Sequence, residues 1–466
     1  MFVAIPMEIA IRELEGHIFL AMHLARRGIP TLLGAKSAVN RICLEGKAPF
    51  AVLDKGLTFS NEDHYAAIRR AGGHIIELHA EGMAYLSTKR EDWGPLESIE
   101  QYVDAFFVWG KKQRQSAQER LPERRHQDVI VTGHPSFDLV RPEFVRYYKN
   151  SRITEMHGED FILFNASAGL DNCATSLEDY AALMPDAPIY SPEKKKLLEK
   201  AVAYEREYFS YIVAVVEKIC SAFPRRSFIY RPHPTEKIEY ISPSFSHLPQ
   251  VKVLREGAVR PWLASAAIVI HNTCTTGLEA LLLGKPVISL VPPKRDFRWT
   301  EERALGCRAY SAEELISHIH RIDAGGWTAG EHGVCLEGVD NFLQNVGTVA
   351  SNTIAEWVSA RYAPLVRNGG GWRPEPLSAL RHGRRILSKV KQHMLACLPG
   401  QRNLRTLIRL AKWKMPPGSV TQSGILDIIH RLREVKKGLP MVRVTQTDLN
   451  CVYIDLADGF EKTDAA

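Results

Sequence analysis

The sequence predicts an α/β fold with two domains that face each other across a cleft. The chain has 466 residues, which is more than one hydrophobic core usually holds. Short apolar runs alternate with helical patterns, and this alternation is typical of parallel sheets covered by helices on both faces. It restarts after residues 143–160, a stretch that carries neither pattern, so we expect the domain boundary there.

The elements follow from the period of the apolar residues. In the N-terminal half we expect strands at 2–6, 29–33, 50–53, 74–78, 105–108 and 128–131, with helices at 12–27, 64–71 and 111–120. In the second half we expect strands at 161–164, 226–230, 251–254, 267–270 and 287–290, with helices at 194–223, 276–283, 312–322 and 341–360. The predicted domains are 1–145 and 155–362, followed by a Gly- and Pro-rich linker at 363–378 and a basic helical appendage at 379–466.

Composition favours a cytoplasmic protein. Apolar residues make up 45% of the chain and charged residues 24%, values that are ordinary for soluble globular proteins. No apolar run is long enough to span a bilayer, and the first residues lack the basic segment of a secretory signal. The eight cysteines show no paired spacing, so we expect reduced thiols and no metal site. No G-x-G-x-x-G and no Walker motif occurs, and no bound cofactor is expected.

Positive charge is concentrated near the C-terminus. Between Arg367 and Arg443 there are 17 Lys and Arg residues and three acidic residues. Segments such as RHGRRILSKVKQ interleave Leu and Ile with these cations, as basic amphipathic helices do. Docking of residues 379–443 on the anionic inner face of a membrane is one interpretation, and a helical pair packed on the body is the other. Aromatic residues are too few for us to expect nucleic acid as the partner.

The strongest functional pattern is the end of a strand in SFIYRPHPTE. Pro232 and Pro234 stop the sheet, so Arg231 and His233 project from the carboxyl end of a strand. A guanidinium and an imidazole at such a position suit a phosphate group. A structural turn with an arginine salt bridge is the alternative.

A second pattern lies in AAIVIHNTCTTGLEALLLGKPVISL. An apolar strand runs through Asn272 into a small polar turn, where the hydroxyls of Thr273, Thr275 and Thr276 lie beside the start of a helix. Free backbone N–H groups at a helix start bind anions. Glu279, one turn on, is within reach of a ribose diol. The alternative is a capping box in which Thr276 pairs with Glu279.

Weaker candidates flank these segments. Arg12 and Glu13 open the first helix and can face the cleft, although an acid there also stabilises the helix dipole. Asn165 and Asp171 belong to the turn FNASAGLDN, which can contact sugar or simply reverse the chain. No acidic pair of the DxD type follows a strand, so no obligatory metal ion is expected.

These segments resemble a known family. RPHPTE and VRPWLASAAIVIHNTCTTGLEALLLGKPVIS, together with IRELEG, LARRGIPTLLG, FFVWGKKQ and VTGHPSFDL, are similar to bacterial surface-carbohydrate biosynthesis proteins of GT-B-type architecture. The resemblance covers roughly residues 1–360 and is sharpest at 271–280. More distantly, the His-Pro element resembles that of sialyltransferases and capsule Kdo transferases, where it contacts the CMP of the donor. The resemblance implies that His233, Pro234, Thr275 and Thr276 contact the nucleotide phosphate.

The same comparison assigns a candidate catalytic carboxylate. HAEG at 79–82 follows a predicted strand and resembles the acidic pair plus glycine of those transferases, but Ala80 replaces the first acid, so only Glu81 matches. Glu81 can act as the general base on an acceptor hydroxyl if transfer inverts the anomeric centre, or as a nucleophile if transfer retains it. A solvated loop glutamate is the alternative.

The resulting functional prediction is a glycosyltransferase that moves a sugar, Kdo-like in the family comparison, from a CMP-linked donor. The expected acceptor is a surface polysaccharide, such as lipopolysaccharide or capsule, or a lipid-linked glycan. A nucleotide-sugar 2-epimerase or a polyol-phosphate transferase of the same fold is one alternative. A membrane-associated scaffold without catalytic activity is the other.

Overall fold

A computed structural model describes residues 1–46, 48–56, 62–80, 99–166, 192–234, 236–272, 274–293, 304–368, 373–376 and 419–457. The chain forms two compact α/β units, as predicted, but the boundaries differ from the prediction. Unit 1 comprises Met1–Leu139 and Gly338–Ala466, and unit 2 comprises Val140–Glu337. The second domain was expected to reach residue 362; the chain instead returns to unit 1 at Gly338, because the helix Ala350–Arg361 packs its apolar face on the helix Ala10–Arg26.

The strands form two sheets. In chain order they are β1 Phe2–Met7, β2 Thr31–Ala35, β3 Phe50–Asp54, β4 Gly73–Leu78, β5 Ala105–Val108, β6 Val129–Val131, β7 Ile162–Asn165, β8 Phe228–Arg231, β9 Val251–Val253, β10 Ile268–His271, β11 Val287–Leu290, β12 Cys307–Ala309, β13 Val442–Asp448 and β14 Cys451–Leu456. Most of the parallel strands are buried along their length, which explains why they appear in the sequence as continuous apolar runs.

Helices of the described residues connect these strands. In chain order they are α1 Ala10–Arg26, α2 Lys36–Glu45, α3 Glu62–Arg70, α4 Lys111–Arg120, α5 Pro135–Asp138, α6 Val145–Tyr148, α7 Ser151–His157, α8 Pro192–Ala222, α9 Ile238–Ile241, α10 Val259–Ser265, α11 Thr275–Leu282, α12 Ala312–Arg321, α13 Ala329–Leu336, α14 Ala350–Arg361, α15 Ala363–Asn368 and α16 Gln422–Val435. None of these helices is long and apolar enough to cross a bilayer.

Each unit has its own sheet. The sheet of unit 1 has the order β13-β14-β2-β1-β3-β4-β5-β6, in which the strands from β2 to β6 pair in parallel. The sheet of unit 2 has the order β12-β11-β10-β7-β8-β9 and is parallel throughout. In a parallel sheet all carboxyl ends lie at one edge, which is where α/β proteins place their ligands.

The C-terminal region differs from the predicted helical appendage. Within it, α16 is helical as expected and packs Ile425, Ile429 and Leu432 toward the unit 1 core. Residues 442–456, however, form β13 and β14, and β14 pairs antiparallel with β2. They form strands because their apolar residues complete the edge of the sheet. Helix α16 is therefore packed on the body of the protein, which was the alternative to membrane docking. Residues 377–418 carry most of the basic residues and lie outside the described residues.

Candidate functional site

A row of polar side chains crosses the carboxyl ends of four neighbouring strands in unit 2. Arg231 of β8 pairs in register with Asn165 of β7, and Asn165 pairs with His271 of β10. His271 in turn pairs with Ser289 of β11. All four residues are buried. Residues paired in register project to the same face of a parallel sheet, so these side chains form one continuous polar row.

Three atoms of this row have no hydrogen-bond partner among the described residues: Asn165 Nδ2, His271 Nδ1 and Ser289 Oγ. Burial lowers the pKa of His271 to about 4, so its imidazole is neutral at pH 7. Because Nε2 lies 3.2 Å from the Leu305 carbonyl oxygen and donates to it, Nδ1 is an acceptor. Each unsatisfied buried group costs about 1–3 kcal/mol, so we expect a ligand or ordered water to satisfy them.

Helix α11 begins next to this row. Cys274 is its N-cap, with Sγ 3.8 Å from the carbonyl oxygen of Asn165. No oxygen side chain of the described residues caps the first turn, and the Cys274 sulfur faces the backbone N–H groups of Thr276 and Gly277. Thr275 and Thr276 are half-buried at this end. The helix N-terminus and the Thr275 and Thr276 hydroxyls thus lie beside the polar row, where an anion can bind.

The capping-box alternative does not describe this helix start. The helix begins two residues earlier than that alternative requires, and Thr276 Oγ1 lies 2.6 Å from Cys274 Sγ. The Glu279 carboxylate lies 3.4 Å from Arg260 Nε of α10, whose Nη1 also donates to the Tyr148 hydroxyl at 3.2 Å. This buried ion pair joins α11 to α10, so any ribose contact by Glu279 stays a prediction.

Gly277 permits the close packing of α11 on His271. A Cβ atom at Gly277 would lie 2.5 Å from two atoms of the His271 ring. Any larger residue would displace either the helix or the imidazole, because protein cores have little free volume. Gly277, which follows Thr275 and Thr276, therefore lets the start of α11 lie against the polar row.

Arg231 is engaged by the protein itself. Its Nη1 and Nη2 donate to the carbonyl oxygens of Glu256 and Gly257 at 3.0 and 2.6 Å, and its Cζ lies 5.7 Å from the centre of the Trp262 ring. Burial, followed by the charge of Arg255, lowers the pKa of Arg231 to about 10. Its guanidinium thus remains a cation at pH 7 and adds positive potential at this strand end.

The turn after β8 is held rigidly and presents His233 on the surface. Arg255 Nη1 donates to the carbonyl oxygens of His233, Pro234 and Glu236 at 3.0, 3.1 and 2.7 Å. The buried carboxylate of Glu236 accepts from the backbone N–H of His233 at 2.5 Å. His233 and Pro234 are exposed, so the imidazole is presented from a preorganised backbone.

The remaining predicted residues of unit 2 lie elsewhere. Asn272 is buried on the opposite face of the sheet, where its side chain hydrogen-bonds to the Tyr208 phenol of α8. It therefore supports the sheet and does not join the polar row. Thr273 and Asp171 lie outside the described residues, as does Glu81 in unit 1.

In unit 1, Glu13 and Arg12 have different environments. Glu13 is buried, and its Oε2 accepts from the backbone N–H of Glu8 at 2.9 Å. Lys55 Nζ lies 3.5 Å from Glu13 Oε1 and 2.8 Å from Glu8 Oε2. Arg12 is exposed. The Glu13 carboxylate thus fixes the start of α1 to the end of β3.

The segment that leads to Glu81 is anchored up to Ala80. The His79 carbonyl oxygen accepts from Trp109 Nε1 at 2.7 Å, and the Ala80 N–H donates to the Lys55 carbonyl oxygen at 2.9 Å. Burial lowers the pKa of His79 to about 3, so this imidazole is neutral. The role of Glu81 stays a prediction.

Sequence reasoning missed His271, Ser289 and the Arg260–Glu279 pair. His271 and Ser289 end or nearly end strands that otherwise consist of apolar residues, IVIH and VISL. A polar residue at the end of an apolar strand could have indicated these two positions, because ligands of α/β proteins bind at the carboxyl ends of the strands. The ion pair joins two helices, and no local pattern indicates such a contact.

No protein-family profile and no curated protein matches the chain. Solved structures do match it at low identity. A candidate UDP-N-acetylglucosamine 2-epimerase from Listeria monocytogenes is 12% identical, with 80% of this chain and 98% of that one covered and a TM-score of 0.48. Anabaena HepE, in complex with UDP and glucose, is 11% identical, with 77% and 100% covered and a TM-score of 0.44. The wall teichoic acid polymerase TagF is 9% identical, with 69% and 74% covered and a TM-score of 0.41. Matches this distant assign no activity to the chain.

Proposed function

We propose that the protein is a glycosyltransferase of surface-polysaccharide synthesis whose unit 2 binds the phosphate of a nucleotide sugar. The observation that carries this proposal is the polar row of Asn165, His271 and Ser289 beside the N-terminus of α11. Unsatisfied buried polar atoms, a helix N-terminus and a strand-end cation together suit an anionic ligand with a polar body.

In the proposed mechanism the phosphate is the leaving group of the sugar transfer. The N–H groups and the Thr275 and Thr276 hydroxyls would stabilise the charge that develops as the glycosidic bond breaks. His233 would add a donor from the rigid turn, and Arg231 would contribute its positive charge. Glu81 would act on the acceptor hydroxyl. The CMP preference rests on the resemblance of the His-Pro element to sialyl- and Kdo-type transferases.

Nucleotide binding can be tested by isothermal calorimetry with CMP, CDP, UDP and GDP. We expect binding of CMP or CDP, and a Thr275→Val variant to bind roughly tenfold to a hundredfold more weakly, since a hydrogen bond to a charged group contributes about 1.5–3 kcal/mol. Thr154→Val is the matched control, because Thr154 is a half-buried helical threonine of unit 2, like Thr275, and its hydroxyl donates to the Ser151 carbonyl oxygen. Binding of UDP alone would overturn the CMP preference, and binding of no nucleotide would overturn the site.

Two further experiments separate the alternatives. Incubation with nucleotide sugars and no acceptor should leave the sugar unchanged; free epimerised product would favour the 2-epimerase. In a deletion strain, His233→Ala and Glu81→Ala variants should fail to restore polysaccharide. Full restoration by both variants would favour a scaffold without catalytic activity. Docking on an anionic membrane stays a separate proposal for residues 379–418, the part of the predicted 379–443 segment that precedes α16, and binding to vesicles with and without anionic lipid would test it.

A further inference from the structure

Two cysteines of unit 2 lie together away from the polar row. Cys307 begins the edge strand β12, and Cys335 lies near the end of α13. Both are free thiols, and one arginine brings them together: the Arg321 guanidinium contacts the Cys307 sulfur and pairs with Glu331, which lies one helical turn before Cys335 on α13. Cys307 is almost fully buried, and Cys335 is half-buried. The two residues are 28 positions apart in sequence, so their proximity results from the tertiary packing of unit 2.

A guanidinium completes this cluster. Arg321, at the end of α12, places Nη2 3.0 Å from Cys307 Sγ. Arg321 Nη1 also pairs with the Glu331 carboxylate of α13, which fixes the orientation of the guanidinium. His318, on the same helix, has its Nε2 2.9 Å from the carbonyl oxygen of Arg308. Hydrogen bonds from a cation favour the thiolate form of a cysteine, the form that acts as a nucleophile.

The two thiols therefore differ in acidity. The hydrogen bond from Cys335, the charges of Arg321 and His318 and the hydrogen bond from Arg321 together lower the pKa of Cys307 to about 6, although burial opposes them. The same hydrogen bond to Cys307, together with burial, raises the pKa of Cys335. The lowered pKa favours the thiolate form of Cys307, whose sulfur accepts a hydrogen bond from Arg321 Nη2. The buried Cys220 thiol, by contrast, has its pKa raised to about 11 by burial.

We propose that Cys307 and Cys335 form a redox-sensitive dithiol that hydrogen peroxide converts into a reversible disulfide. In the first step the Cys307 thiolate attacks one peroxide oxygen, which forms a sulfenic acid and releases hydroxide. In the second step the Cys335 sulfur attacks the sulfenic sulfur, the S–S bond forms, and the proton of Cys335 leaves with the hydroxyl group as water. The two sulfurs are oxidised and the peroxide is reduced, so atoms and electrons balance. The bond would link β12 covalently to α13.

Peptide mapping of the full-length protein tests this proposal. The reduced protein is treated with hydrogen peroxide at pH 7, blocked with N-ethylmaleimide and digested with trypsin without reductant. We expect a disulfide between the peptides 304–308 and 322–361, which dithiothreitol should cleave. In a Cys335→Ser variant we expect dimedone to label Cys307 instead, because the sulfenic acid has no resolving thiol. A different cysteine pair, or no linked peptide, would overturn the proposal.

Arginine variants separate the role of the guanidinium from a general effect of charge. Arg321→Gln should slow the oxidation of Cys307 by about tenfold or more, because an ordinary thiol has a pKa near 8.5 and is mostly protonated at pH 7. Arg226→Gln is the matched control, since Arg226 pairs with Asp323 in the same unit and contacts no thiol in the described structure. Equal rates in the two variants, or labelling of Cys307 no faster than that of Cys220, would contradict the thiolate assignment.

Discussion

Gly277 and His271 show how one residue sets the geometry of the candidate site. A Gly277→Ala variant would force its methyl group to within 2.5 Å of the His271 ring, so we expect it to destabilise unit 2 by about 1–3 kcal/mol despite the higher helix propensity of alanine. Gly333→Ala is the matched control: Gly333 lies in α13, and a methyl group added there would meet no atom within 4 Å, so this variant should gain about 0.5–1 kcal/mol. Urea unfolding of both variants measures the difference. Equal stability would contradict the assigned packing.

At the residue scale, the sequence predicted the segments of the site better than the role of each side chain. Arg231 and His233 were correctly placed at a strand end, since two prolines stop β8. Their local contacts could not be predicted, because the carbonyl oxygens that hold Arg231 belong to Glu256 and Gly257, more than twenty residues later. Residue type and local order indicate where a polar group emerges from a sheet; the partners depend on tertiary packing.

At the element scale, the C-terminal hairpin depends on a glycine of β2. A Cβ atom at Gly34 would lie 2.2 Å from the Asn450 carbonyl oxygen and 2.6 Å from Cys451 Cα. Gly34→Ala should therefore loosen β14 from β2 and speed amide exchange across 442–456 by roughly tenfold to a hundredfold, since overpacking costs about 1–3 kcal/mol. Hydrogen–deuterium exchange measures the exchange rates of these amides.

Gly347→Ala is the control for this experiment. Its methyl group would meet no atom within 4 Å, so it should leave the exchange rates of 442–456 unchanged. Unchanged protection of 442–456 in Gly34→Ala would show that the hairpin does not require the close approach.

The parallel strands were easier to predict than this hairpin. Strands such as β5 and β11 are buried on both faces and so appear as apolar runs, and their predicted bounds match the structure. In β13 polar and apolar residues alternate, and its stability comes from β14, which in turn pairs with β2 more than 400 residues away along the chain. Neighbouring basic residues made a helical continuation the natural prediction. Long-range antiparallel pairing has no local signature beyond alternation.

At the scale of the whole molecule, several histidines are folded into the protein in the neutral form. Burial lowers the pKa of His17 and His271 to about 4, and that of His23 and His79 to about 3. In the unfolded chain a histidine titrates near pH 6.5. Between pH 6.5 and about 4 the unfolded chain therefore binds protons that the folded chain does not, and the free energy of unfolding falls as the pH falls.

This acid sensitivity can be assigned to individual residues. Each such histidine contributes about 1.4 kcal/mol per pH unit near pH 5, and the four together about 5 kcal/mol per pH unit. In urea titrations at pH 7.5, 6 and 5 we expect His23→Leu to reduce the slope of the free energy of unfolding against pH by about 1.4 kcal/mol per pH unit. The variant lacks one histidine that binds a proton in the unfolded chain but not in the folded chain. His247→Leu is the control, since His247 is exposed and its imidazole lies 2.8 Å from the Glu217 carboxylate. Parallel slopes for the wild-type protein and His23→Leu would show that His23 does not remain neutral in the folded state.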